Sequence, residues 1–228
     1  MIPWVLHDKA TTPGGGQLRL MQRGSEFSIR LGANELMNSR LSGSEEALAA
    51  IPCARIRDRP APRLLIGGLG MGFTLRAALA ALGDGAAVVV AEIVPAVVKW
   101  AKGPMAPLFG QCLTDPRVTL IEGDVGAQIG SARSAYDAIL LDVDNGPEGL
   151  TREANDSLYH EAGLRAAGAA LRPGGILAVW SSGPDRSFTA RLRGAGFGVE
   201  EVKARASRAG GGARHVIWMA TAGGSASR

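Results

Sequence analysis

The stretch LLIGGLGMGFTLRAAL, residues 64–79, decides how this chain is read. An apolar run, Leu64 to Ile66, meets a glycine-rich turn and then a segment of helix-forming residues. That order describes a buried strand feeding a tight turn and a helix, which leaves free backbone N–H groups at the carboxyl end of a sheet. Gly68, Gly70 and Gly72 stand in G-x-G-x-G spacing. The dinucleotide fingerprint G-x-G-x-x-G wants a glycine at position 73, where this chain has Phe73. A phosphate-binding P-loop is excluded, because no Gly-Lys-Ser/Thr follows.

Toward the carboxyl end the same alternation repeats. AAVVVAEI is a buried-strand run, and Pro95 opens the next helix in PAVVKWAK. VTLIEGD and YDAILLDVD read as the third and fourth strands. TREANDSLYHEAGLRAAGAAL is a long helical stretch that PGG stops, and ILAVWSS follows as the fifth strand. SFTARLRGAG is a helix, and VEEVKARA with RHVIWMA form two final strands around a glycine-rich turn. Strands alternating with helices predict an α/β fold, a Rossmann-like doubly wound seven-stranded sheet with both faces covered.

Toward the amino end the texture differs. QLRLMQR and EFSIRL alternate apolar and polar residues, the period of half-buried strands, with RGSE as the turn between them. NELMNSR is a third short strand. Ser42 and Glu45 have capping-box spacing ahead of a helical turn or two, and IPCARIRDRPAP reads as a linker. The expected organisation is therefore a small β-rich cap and linker over 1–60, a catalytic α/β domain over 61–222, and a disordered tail over 223–228.

Composition bounds the function. The chain has 228 residues, 46% hydrophobic and 20% charged, which suits a globular protein with one main core. Its net charge is +4, and 21 of its 25 basic residues are Arg. They are scattered, so nucleic acid is not indicated as a partner. Arg205, Arg208 and Arg214 flank the loop AGGGA, which reads as a solvated hairpin ahead of an RNA-binding patch. Cys53 and Cys112 lie far apart, as packing residues of a reduced protein do. No signal peptide and no membrane span is expected, which points to a soluble, cytoplasmic protein. His7, His160 and His215 have no metal-ligand spacing, so no metal is expected.

The acids behind the glycine loop carry the chemistry. Glu92 ends the second strand of the α/β region, where a carboxylate accepts hydrogen bonds from both hydroxyls of a ribose; Ile93 follows it. Asp124 follows the third strand and suits an exocyclic adenine amine, with the backbone of Val125 at a ring nitrogen. An Asx turn or helix N-cap is its other reading. Asp142 ends the fourth strand and aims into the same crevice, with Asp144 and Asn145 as a polar rim. Trp180, at the end of the fifth strand, is placed to line an acceptor pocket.

These motifs, with LRPGGILAVWS, resemble the class I S-adenosylmethionine-dependent methyltransferase fold over about residues 60 to 180, and within it the spermidine synthase branch. Generic methyltransferases carry an acid where this chain has Ile66; the I-G-G form with T-L-R is similar to spermidine synthases. The resemblance implies a cofactor site of Gly67, Gly68, Gly70, Gly72, Glu92, Ile93, Asp124 and Val125. It implies Asp142 as the catalytic aspartate that helps deprotonate an attacking amine, and a homodimer.

Departures from the branch set the expected reaction. Spermidine synthases read G-G-G-D-G-G, and their aspartate, which holds the aminopropyl ammonium of decarboxylated S-adenosylmethionine, falls here on Gly70. Removing a carboxylate beside a buried ammonium costs about 3–5 kcal/mol. It also makes room for a cofactor with a carboxylate of its own. The branch's Y-H-E-M-L is SEEAL here, with Ser44 and Glu45 replacing the aromatic and the His, and its D-S-T-D-P is DVDNGP. The expectation is methyl transfer from S-adenosyl-L-methionine to a small-molecule acceptor, an amine among the candidates. Aminopropyl transfer from decarboxylated S-adenosylmethionine is the alternative, and a non-catalytic nucleoside-binding protein the third reading.

Overall fold

A computed structural model describes residues 2–143, 157–207 and 212–223. Four strands come first: β1 (Val5–Thr11), β2 (Gln17–Arg23), β3 (Glu26–Leu31) and β4 (Asn34–Asn38), an antiparallel sheet in that order. The turn RGSE closes β2 onto β3 with Arg23 paired to Glu26, as its residues predict. β1 escapes the alternation test because it is mostly exposed and its register shifts between Leu6 and Asp8.

The first half of the proline-containing linker expected before residue 63 is instead helix. α1 runs Gly43–Ile56 through Pro52, and Leu48, Ala49, Cys53 and Ile56 bury one face of it. An interior proline forfeits a backbone hydrogen bond; burial of that face outweighs the loss, which local propensity cannot show. Ser42 is the N-cap residue, but its side chain makes no capping hydrogen bond. The capping box inferred from spacing is thus absent, and Glu45 is used elsewhere.

The α/β strands and the helices after the first two of them follow as predicted, with α4, a 3₁₀ turn and α5 added: β5 (Arg63–Gly67), α2 (Phe73–Ala81), β6 (Ala87–Glu92), α3 (Pro95–Lys102), α4 (Ala106–Phe109), a 3₁₀ turn at Cys112–Thr114, β7 (Val118–Glu122), α5 (Val125–Ser131) and β8 (Tyr136–Leu141). After residue 156 come α6 (Glu161–Ala170), β9 (Leu171–Ser181), α7 (Arg186–Gly194), β10 (Phe197–Arg205) and β11 (Arg214–Ala222). The helix ends at Ala170 ahead of PGG, which lies within β9 where the pairing with β8 slips. The seven strands lie in the order β10-β11-β9-β8-β5-β6-β7, with β11 antiparallel to both its neighbours and the rest parallel.

Strand periodicity splits the core in two. Leu64, Ile66, Val88, Val90, Ala138 and Leu140 face α1, α2, α3 and the N-terminal sheet, whose Leu20 and Ile29 belong to the same cluster. Leu65, Ile139, Leu141, Leu177 and Trp218 face α5, α6 and α7. With both faces covered, the central strands read as unbroken apolar runs. β5 is the pivot. The chain winds from it through β6 to β7 on one side and from β8 to β9 on the other, so a crevice opens beyond the carboxyl ends of β5 and β8.

Candidate active site

A cavity of about 280 Å³ fills that crevice. Its floor is the glycine loop, and Asp142 and Val143, just past β8, supply one wall. Gly68, at φ +91°, is the tightest point: a Cβ there would lie 2.4 Å from the Asp142 carbonyl oxygen. No residue with a side chain lets the loop pass so close to the end of β8. Gly70 and Gly72 also line the cavity. Gly67 does not. It sits within β5, where a Cβ would press on Val125 and Leu141 at 3.0–3.2 Å, so packing explains this glycine.

Glu92 ends β6 with 6% of its surface exposed. Its Oε2 accepts the Leu69 N–H at 2.9 Å and its Oε1 the Val94 N–H at 2.8 Å. Burial pushes this carboxyl above its ordinary range, and the N–H groups of Leu69, Val94, Gly70 and Ile93 pull it back. Glu92 thus clamps the glycine loop while lining the cavity, and each oxygen keeps a lone pair for a ligand hydroxyl. Ile93 lies beside it on the cavity wall.

The structure shows Asp124 as a helix cap that also faces the cavity. It is the N-cap of α5, its Oδ1 accepting the Gly126 N–H at 2.8 Å, and with Val125 it lines the cavity. Asp142 stands opposite, where its Oδ2 accepts from Thr74 Oγ1 at 2.8 Å. Burial, with the nearby Glu45 charge added, raises its carboxyl to about 7 against the Thr74 hydrogen bond. Trp180 lines the cavity, and its indole N–H is buried with no partner among the described residues. Asp144 and Asn145 lie outside the described residues.

Three sets of residues that line or brace the cavity were not singled out as site residues from the sequence. Glu45 of α1 lines the cavity, and burial raises its carboxyl too. Thr74, second residue of α2, braces Asp142. The N-terminal sheet forms the roof: Thr12 to Gly14, Gly16, Leu31, Leu36 and Met37 close over the loop. The doublet Ser44-Glu45, set aside as a departure, was the one available signal for Glu45. Met37 and the roof carry no pattern.

The fold has counterparts among solved structures. The spermidine synthase from Thermotoga maritima superimposes with a TM-score of 0.75 over 96% of this chain and 73% of its own, at 16% identity. A spermidine synthase solved with the transition-state analogue AdoDATO gives 0.74 over 96% and 72%, also at 16% identity. The chain has the fold of the spermidine synthases. No protein-family profile matches it. Putrescine N-methyltransferase 1 of Nicotiana tabacum is 33% identical over 133 residues, 58% of this chain and 33% of that protein. Polyamine aminopropyltransferase 2 of Pseudomonas aeruginosa is 31% identical over 132 residues, 56% and 35% of the two chains. The chain thus spans about a third of the length of these curated relatives. Among the described residues no helix is long and apolar enough to cross a membrane.

Proposed function

We propose that the chain is a transferase that moves a methyl group from S-adenosyl-L-methionine to a small amine acceptor. The observation that carries this reading is the surroundings of Gly70. No carboxylate stands in the loop there, and the nearest side chain is the Met37 thioether, 3.4 Å from where a Cβ would lie. A cofactor ending in a bare ammonium would find no counter-charge at that point. The similarity to proteins named putrescine N-methyltransferase supports methyl transfer to an amine.

The residues present fit the cofactor. Glu92 offers free lone pairs to ribose hydroxyls, Asp124 and the Val125 backbone would take the adenine, and the close passage at Gly68 keeps the loop beside the cavity. When bound, S-adenosyl-L-methionine supplies an electrophilic methyl on a sulfonium. The protein's share is then positioning, exclusion of water and removal of the acceptor's proton. A carboxylate near 7 is half-ionised at neutral pH, which suits Asp142 to take that proton and release it again. Trp180 contributes cavity wall against which the acceptor would pack.

Aminopropyl transfer is the second reading, favoured by the similarity to a polyamine aminopropyltransferase and by a second cavity carboxylate, Glu45, that would suit a cationic chain. Calorimetric titration with intact and decarboxylated S-adenosylmethionine separates them. Preference for the intact form by ~1.4 kcal/mol or more, a tenfold ratio, supports methyl transfer. Product analysis checks it: S-adenosylhomocysteine for methyl transfer, methylthioadenosine for aminopropyl transfer. Tight nucleoside binding without turnover of any amine would leave a non-catalytic binding protein.

A further inference from the structure

Behind Glu45 a chain of hydrogen bonds leads out of the cavity. Ser44 Oγ donates to Glu45 Oε2 at 2.7 Å, and His215 Nδ1 lies 2.8 Å from the same hydroxyl. Ser44 is wholly buried, whereas His215, near the start of β11, is partly exposed. The Trp180 ring packs edge-on to the His215 ring at 4.7 Å and separates it from the cavity. Resting on the transferase reading above, we propose that Glu45, Ser44 and His215 form the proton outlet of this site, with Glu45 sharing the reacting proton with Asp142.

The chemistry requires an outlet. Whichever group is transferred, the acceptor nitrogen forms a new bond to carbon and the carbon–sulfur bond breaks. The electron pair of that bond goes to sulfur, which loses its positive charge, and the nitrogen gives up one proton. That proton passes to the Asp142 and Glu45 pair, and it must leave before the next turnover. Two carboxylates facing one cavity do not both ionise cheaply, and the Glu45 charge adds to the burial that makes Asp142 hold a proton readily.

The chain can carry the proton because it has two complete hydrogen-bond arrangements. With Glu45 ionised, His215 Nδ1–H donates to Ser44 and Ser44 donates to Glu45. With Glu45 protonated, Glu45 donates to Ser44 and Ser44 to a bare Nδ1. Passing from the second arrangement to the first moves one proton along the chain from Glu45 to the His215 ring, whose Nε2 can then release it. Burial holds the imidazole below its ordinary value, so it returns a proton to solvent readily. The charged and titratable groups around the chain are Glu46 on α1, Asp142 at the end of β8, Arg214 beside His215, and Arg205 opposite Arg214 on β10.

Two measurements decide it. In the ligand-free protein, NMR titration follows His215 and the Asp142 carboxyl in wild type and in Glu45→Gln. Loss of the Glu45 charge should lower both midpoints, by roughly half a pH unit or more. Unmoved midpoints overturn the proposal, whatever the protein catalyses. In turnover, Ser44→Ala and His215→Ala should each lose about tenfold or more in kcat with the acceptor KM little changed. Added imidazole should restore the rate of His215→Ala, and His215→Asn, which keeps a donor for Ser44 but carries no proton, should be equally slow. A slow His215→Ala that imidazole leaves unchanged, or a fast His215→Asn, overturns it. If wild type binds neither form of the cofactor and turns over nothing, the transferase reading fails, and the outlet falls with it.

Discussion

Thr74 Oγ1 donates to Asp142 Oδ2 at 2.8 Å, so the second residue of α2 braces the carboxylate that ends β8. This hydrogen bond favours the ionised form, against the burial and the Glu45 charge that raise Asp142 to about 7. Thr74→Val removes the donor at nearly constant volume. The acid limb of the rate–pH profile should move upward by roughly half a unit to one unit, and Thr74→Ser should restore it. An unmoved limb would show that Asp142 does not set the profile.

Asp142 should also cost the ligand-free protein stability. Its folded-state value stands above that of an unfolded aspartate, so the folded state binds the proton more tightly. The stabilisation from this group is complete below about pH 4 and is lost as pH rises through about 7. Asp142→Asn should therefore raise Tm at about pH 8 while cutting turnover on the order of 100-fold. Affinity for S-adenosyl-L-methionine should stay within a few fold. Scanning calorimetry and initial rates check the two halves separately.

Gly70 adopts φ +50°, a conformation that Asp tolerates better than most residues with a side chain. Gly70→Asp places a carboxylate beside Met37 in the loop. Relative affinity should shift toward decarboxylated S-adenosylmethionine by about tenfold or more. Titration of the variant with both forms reads the ratio directly, and an unchanged ratio would break the link between this position and cofactor choice.

Glu92 holds two backbone N–H groups with two carboxylate oxygens. Glu92→Gln turns an amide NH₂ toward one of those donors and leaves it buried without an acceptor. Urea unfolding should show a loss of about 1–3 kcal/mol. Nucleoside binding should weaken as well, because the loop loses a clamp. Full stability in the variant would mean that the loop holds its shape without Glu92.

Asp137 is buried on β8 between two arginines, Arg59 at 2.8 Å and Arg172 at 2.8 Å, and it also accepts the Arg63 N–H at 2.7 Å. This cluster fastens the chain after α1 to β5, β8 and β9, far from any chemistry. Asp137→Ala leaves two guanidinium groups facing each other and should cost about 3–5 kcal/mol. Activity per folded molecule at low temperature should be little changed.

Much of this molecule was legible before any coordinates. The glycine run after Ile66 and the apolar strands after it gave the α/β class, because a sheet covered on both faces writes itself as short continuous apolar runs. Glu92, Asp124 and Asp142 were legible because each ends or closely follows a strand of a parallel sheet, and such ends share one edge. β1 was not legible, since an exposed, bulged strand has neither alternation nor an apolar run. The extent of α1 was not legible either, because Pro52 argues locally against a helix that only its buried face sustains.

The sequence by itself determined the succession of α/β strands, the tight loop at Gly68 and the acids at or just past the strand ends, all of which follow from local spacing and backbone geometry. Only the tertiary structure decided that Glu45 joins Asp142, that Ser44 links Glu45 to a histidine 171 residues away, and that Met37 roofs Gly70. Those contacts join segments with no periodic relation along the chain. They exist because one core draws α1 and the N-terminal sheet onto the face of the larger sheet, and burial, not local pattern, chooses which side chains then meet.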